Sequence, residues 1–250
     1  MKIKFFVKLM KVKQYVSEKI KKLPPRFVFN YGDIIKEPAN VEAVIKNLNR
    51  MVASGELRKL SKGRFYKPEI TPLGILEPSE YEVAKDLLIK NGKHIGYFTG
   101  LTIYKQLGLT TQISNYIQIG RNERRTAIKR GKYEISFIKQ KNKICKGNIS
   151  LLQILDAIRY IKKIPDAKIQ FLCKRFLNIL SELSQKHKNE LIRLALNYSP
   201  ATRALLGALL DELGDSNLTE ELLKSLNPIT SYKLGITKEN LSTVEKWNIK

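Results

Sequence analysis

The chain has 250 residues, of which 46 are Lys or Arg and 23 are Asp or Glu, for a formal net charge of +23. A surplus this large repels itself unless a polyanion is the usual partner, which argues against an ordinary small-molecule enzyme and for nucleic acid. With 43% hydrophobic residues, 14 Gly and 9 Pro, the chain can bury real cores, so collagen-like and wholly disordered architectures are excluded.

No apolar run approaches the roughly 18 residues of a membrane span. Met1 to Lys13 opens like a secretion signal, but Lys8, Lys11 and Lys13 interrupt its apolar stretch and no small-residue cleavage site follows. A cytoplasmic protein with no membrane partner is therefore expected. Cys145 and Cys173 form no CxxC and lie near no histidine pair, so they read as free thiols rather than metal ligands or a disulfide. His94 and His187 read as separate surface residues.

In chain order, Val12, Tyr15, Val16, Ile20 and Leu23 recur at helical spacing until Pro24-Pro25 stops the helix. A very short strand, Phe27-Val28-Phe29, and a one- or two-turn helix within Tyr31 to Lys36 follow. From Asn40 to Ala53, Val41, Val44, Ile45, Leu48, Met51 and Val52 form the clearest amphipathic stripe of the N-terminal third, with Asn40 as N-cap and Gly55 just past the end. Glu56 to Leu60 and Arg64 to Tyr66 then flank Ser61-Lys62-Gly63 as a basic hairpin. This order is that of a winged helix-turn-helix, in which the third helix enters the major groove and the hairpin reaches phosphates alongside.

Residues 1–69 carry roughly 17 basic and 6 acidic side chains, nearly half of the whole excess. Asn40, Ala43, Lys46, Asn47 and Arg50 lie on the face expected to meet bases, since Asn pairs with adenine and Arg or Lys with guanine. Lys59, Lys62, Arg64 and Tyr66 are expected to hold the wing against the DNA backbone.

Thr71 to Pro78 reads as a loop-like connector, and Ser79 with Glu82 as a capping box opening a helix through about Ile89. A short helix near Leu101 to Leu107 and strands at Tyr116 to Ile119 and Glu134 to Ile138 follow. The connection between those strands carries Arg121, Arg124, Arg125, Lys129, Arg130 and Lys132. These are candidates for a second polyanion surface, with a solvated hairpin as the equally weighted alternative. From Ser150 onward the period is helical, in segments Leu151 to Lys162, Ala167 to Leu183, Lys188 to Leu196, Pro200 to Leu213, Thr219 to Leu226 and Lys238 to Trp247.

The expected fold is thus α+β: an N-terminal winged helix-turn-helix over residues 1–70, a mixed α/β region over 71–147 and an all-helical region over 148–250. No catalytic residue, metal or cofactor is expected, because the chain has no GxGxxG, Walker loop or nucleophile elbow. Pro165-Asp166-Ala167-Lys168 with Asp156 upstream superficially matches a metal-dependent nuclease pattern. Asp166 reads better as a helix N-cap, and the carboxylates do not come from strand ends, so the nuclease reading fails.

The runs Gly63-Arg64-Phe65-Tyr66-Lys67-Pro68, Thr71-Pro72-Leu73-Gly74-Ile75-Leu76-Glu77-Pro78, Val83-Ala84-Lys85 and Gly108-Leu109-Thr110-Thr111-Gln112 together resemble the AbiEi-like antitoxins of bacterial abortive-infection systems. The resemblance spans about residues 10–140. It implies a winged helix that represses its own operon by binding double-stranded promoter DNA, typically at inverted repeats, and a C-terminal region that antagonises a nucleotidyltransferase-like toxin without a stable complex. It places the DNA-reading helix on Asn40 to Ala53 and the wing on Leu57 to Tyr66; the basic Gly108 to Ile138 region is our own expectation for the antitoxin role. A homodimer and a monomer on each half-site are both compatible with this. The competing expectation is a stand-alone winged-helix regulator with a helical dimerisation or sensing domain.

Overall fold

A computed structural model describes residues 2–35 and 41–250, with residues 2–11 described by backbone alone. The architecture is mixed α+β, with several small sheets. Two compact units divide it: residues up to Lys85 together with Lys129–Tyr133, and Asp86–Ile128 together with Glu134–Lys250.

The first unit begins with α1 (Lys2–Lys22), followed by β1 (Val28–Asn30), α2 (Tyr31–Ile34), α3 (Val41–Ala53), β2 (Arg58–Ser61) and β3 (Arg64–Tyr66). Helix α1 starts ten residues before the expected Val12. Asn30 caps α2, its side chain accepting from Gly32 N while Asp33 accepts from the Asn30 N–H. The strands form one antiparallel sheet in the order β1-β3-β2. One core closes the unit: Val12, Val16 and Ile20 of α1, Phe29, Ile34, Val44 and Leu48 of the middle elements, and Leu57 and Phe65 of the hairpin. The Phe29 and Phe65 rings, directly opposed across β1 and β3, lie with centroids 6.1 Å apart.

The expected connector at residues 71–78 is instead a second hairpin, β4 (Glu69–Thr71) with β5 (Gly74–Leu76). Pro72 and Leu73 make its turn, and the Thr71 hydroxyl donates to Gly74 O. In α4 (Glu80–Leu88) the Ser79 hydroxyl accepts from Glu82 N as expected. The Glu82 carboxylate does not close the box: it accepts from Val28 N and pairs with Lys85. A tertiary partner has displaced the local one.

The second unit holds a tight hairpin, β6 (Ile89–Lys90) with β7 (Lys93–His94), then β8 (Gly96–Thr99), α5 (Leu101–Gln106) and β9 (Tyr116–Arg121). Strand β10 (Ile128–Arg130) leads into β11 (Tyr133–Lys139), which pairs with β9 in parallel, and β8 pairs with β9 antiparallel. The two expected strands therefore do not form a hairpin with each other.

Helices α6 (Ile149–Arg159), α7 (Ile169–Ser181), α8 (Gln185–Ala195), α9 (Pro200–Glu212) and α10 (Glu220–Lys224) follow. The last expected helix, Lys238 to Trp247, shrinks to a 3-10 turn at Ser242–Val244, and the tail returns so that Tyr232 bridges Ile249. Asp166 is exposed with φ +55, and Lys168 occupies the N-cap of α7, so Asp166 is no cap. Tyr97, Tyr104 and Leu109 share one core with Leu152, Leu155, Phe176, Leu205 and Trp247. That shared core runs across the expected boundary at 147/148.

Buried within this core is a polar cluster. Asp156 of α6, with no exposed surface, accepts from the hydroxyls of Tyr97 at 2.7 Å and Tyr198 at 3.0 Å. Gln140 Nε2 donates to both hydroxyl oxygens, and Gln140 Oε1 accepts from Asn142. No helix among the described residues is long and apolar enough to cross a membrane.

Candidate nucleic-acid interface

The sequence assigns α3 an apolar stripe, and tertiary packing decides how wide that stripe is. Val44 and Leu48 are buried against α1, with Ala43, Met51 and Val52 packed at the margin. Glu42, Lys46, Asn49, Arg50 and Ala53 are exposed. Lys46 and Arg50 stand one helical turn apart on this face, with Asn49 three residues from Lys46. They present two cations and an amide.

Asn47 departs from the expectation. It is only 6% exposed, and its side-chain amide donates to Ala43 O, four residues back, at 2.9 Å. Position 47 lies three residues from Val44 and next to Leu48, and the buried amide satisfies itself on its own helix. It is not on the exposed face of α3. Ala43 is half-buried, and Asn40 lies outside the described residues. Asn49 was legible on a helical wheel as a neighbour of Lys46, but the wheel alone could not say which flank of the stripe the core would cover.

The hairpin β2–β3 keeps its turn at Lys62 and Gly63, where φ of +73 favours glycine and the Tyr31 ring lies close against the backbone. Arg58, Lys59 and Lys62 are exposed, and Arg64 is half-buried. A register shift between Lys59 and Ser61 bends the strand. Tyr66 is a correction. At 4% exposure it is buried on the face of the sheet opposite Phe65. Burial raises its hydroxyl above the ordinary phenol range, with Arg58 opposing that rise, so Tyr66 acts as a packing residue and not as a phosphate contact.

The second basic stretch does not make one array. Lys129, Arg130 and Lys132 belong to the first unit, and Arg121, Arg124 and Arg125 to the second. Arg130 is 2% exposed and its guanidinium donates to Val83 O. Lys132 pairs with Glu77 at 2.8 Å, and Gly131 N donates to Leu60 O at 2.8 Å. These residues fasten the returning segment to the first unit. Arg121 is half-buried, while Arg124 and Arg125 are exposed, the latter 5.3 Å from the Phe137 ring centroid. Alternation along a strand, read alone, had allowed all six to face solvent; the carbonyl of α4 and the Glu77 carboxylate decide otherwise.

A family model matches residues 15–178, from α1 through most of α7. The chain belongs to DUF6088, a family of unknown function. In solved structures, the RV2827C protein from Mycobacterium tuberculosis is similar to this chain with a TM-score of 0.58 at 14% identity, covering 89% of this chain and 84% of that one. At that identity the likeness concerns the fold alone. No curated protein matches the chain.

Proposed function

We propose that this DUF6088 protein is a DNA-binding autorepressor whose first unit is a winged helix, and that it serves as the antitoxin of a nucleotidyltransferase-like toxin. The observation that carries the DNA-binding half is the exposed face of α3, where Lys46, Asn49 and Arg50 stand free of the core that α1 closes behind them. The element order α1, β1, α2, α3, β2, β3 and the sheet order β1-β3-β2 support the winged arrangement. Arg58, Lys59 and Lys62 supply a basic wing. Lys46 and Arg50 are the base-reading candidates, Asn49 joins them, and the wing cations neutralise phosphates.

The antitoxin half rests on the AbiEi-like sequence resemblance, and on the exposed Arg124 and Arg125 for a surface in the second unit. A stand-alone regulator shares the DNA-binding half and differs only in lacking a toxin.

The test is a salt series of anisotropy titrations on the chain's own upstream promoter beside a scrambled duplex. Wild type should prefer the promoter, with log Kobs falling by about 0.9 per neutralised phosphate against log salt. A Lys46→Ala, Arg50→Ala variant should lose the preference, at about 1–3 kcal/mol for each base contact. Equal affinity for both duplexes by the wild type would refute the repressor reading. Co-expression with the toxin encoded alongside then separates antitoxin from stand-alone regulator: undiminished toxicity would refute the antitoxin half.

A further inference from the structure

The second unit carries a groove of about 540 Å³ formed by the end of β11, the residue closing α6 and the start of α9. Lys139, Lys141, Arg159 and Arg203 line it, and no carboxylate does. Ion pairs elsewhere in this unit, such as Lys238 with Glu245 and Lys246 with Asp211, show that its surface cations find acids where acids are near. Among the described residues these four have no ion-pair partner. Four cations around one concavity raise the local positive potential, which the buried Asp156 carboxylate offsets in part through Arg159, and a low-dielectric wall focuses it.

The wall is rigid. Tyr198 and Gln140, both buried, form its floor. Their polar atoms are consumed by Asp156, Tyr97 and Asn142, so the floor cannot shift without breaking the buried cluster. Leu196 and Pro200 add an apolar flank. At the other side, α9 starts with Ser199 as N-cap, but the Ser199 hydroxyl engages Thr202 Oγ1 and caps no backbone N–H. The positive end of a thirteen-residue helix therefore adds to the same field. Arg203 completes the site. Its Nε is shut off from solvent with no hydrogen-bond partner among the described residues, so no bond holds the guanidinium in its present rotamer. An arriving oxyanion would give that donor an acceptor.

We propose that this groove binds a nucleoside di- or triphosphate, its phosphates held by Lys139, Lys141, Arg159 and Arg203 and its ring against Leu196 and Pro200. The volume suits one nucleotide-sized ligand. A nucleic-acid strand asks instead for a longer groove with aromatic faces on which successive bases stack. The site lies wholly in the second unit, and its existence does not rest on the DNA-binding reading.

The experiment is calorimetric titration of the full chain with ATP, ADP, AMP, adenosine and inorganic phosphate at fixed ionic strength. Saturable one-to-one binding should rank ATP above ADP above AMP, with adenosine and phosphate weaker than any of them. Because a chain of charge +23 attracts any anion, two charge-matched variants decide specificity. Lys141→Gln with Arg203→Gln should weaken ATP at least about tenfold, while Arg124→Gln with Arg125→Gln leaves it within about twofold. If the first variant fails to fold, Lys139→Gln with Lys141→Gln, both exposed positions, asks the same question. Absence of saturation, equal losses in both variants, or tighter binding of a single-stranded oligonucleotide that displaces ATP from the groove would each overturn the proposal. Promoter titrations of the same variants read the two functions separately.

Discussion

Replacing Asp156 by asparagine tests whether the buried cluster at the heart of the second unit is as closed as its geometry says. Burial pushes the Asp156 carboxyl up to about 6, although the hydroxyls of Tyr97 and Tyr198 pull the other way; a free aspartate titrates near 4. The folded state therefore binds this proton more tightly than the unfolded state. Below about pH 4 both states are protonated and the stabilising contribution is complete; it is lost as pH rises through about 6, by about 3 kcal/mol in all. Asparagine cannot titrate. It offers one acceptor where the carboxylate offers two, so one tyrosine must reorient, at a pH-independent cost of about 1–3 kcal/mol. Urea denaturation of both proteins, followed by the fluorescence of the one tryptophan, the buried Trp247, should be run from pH 4 to 7.5. The wild-type stability minus the variant stability should fall by about 2 kcal/mol between pH 4 and 6.5, the rest of the effect lying below pH 4, and then level off. Other carboxylates are present in both proteins and cancel in the difference. A difference that stays flat, or rises with pH, refutes the argument that desolvation controls this group.

Other consequences are as specific. A Cβ on Gly207 of α9 would overlap the indole of Trp247, so Gly207→Ala should cost about 1–3 kcal/mol in thermal or urea unfolding and distinctly less in a Trp247→Leu background; equal costs in both would show that the two residues do not press on each other. Asn47→Ala should lower stability by about 1 kcal/mol through loss of its bond to Ala43 O, with promoter preference unchanged, and a selective loss of preference would return Asn47 to the reading face. Burial pushes the Cys173 thiol up to about 11, whereas Cys145 is exposed. A water-soluble thiol reagent at pH 8 should therefore titrate one thiol in the native protein and the second only after unfolding.

Much of the local structure was legible because it follows from short-range physics. The stripe Val44, Leu48, Met51 specifies α3, the glycine at 63 permits the β2–β3 turn, and Ser199-Pro200 starts α9 where expected. Pairs and faces were less legible. Glu82 looked like half of a capping box until Val28 N took its carboxylate. Asn47 looked like a base reader until folding buried it and turned its amide onto Ala43 O. Arg130 and Lys132 looked solvated until Val83 O and Glu77 engaged them. The polar cluster left only one trace in the sequence, an aspartate amid the apolar run Leu151 to Ile158.

By itself, then, the sequence determined the basic character, the α+β content and the amphipathic third helix, because charge, composition and periodicity belong to the chain whatever it packs against. Only the tertiary structure decided that β9 and β11 run parallel, that strands and C-terminal helices share a core, and that four cations from the end of β11 and just beyond it, α6 and α9 line one groove. Those features join residues distant in sequence, and what selects them is the closure of particular apolar surfaces and the satisfaction of particular buried polar groups, neither of which any local window contains.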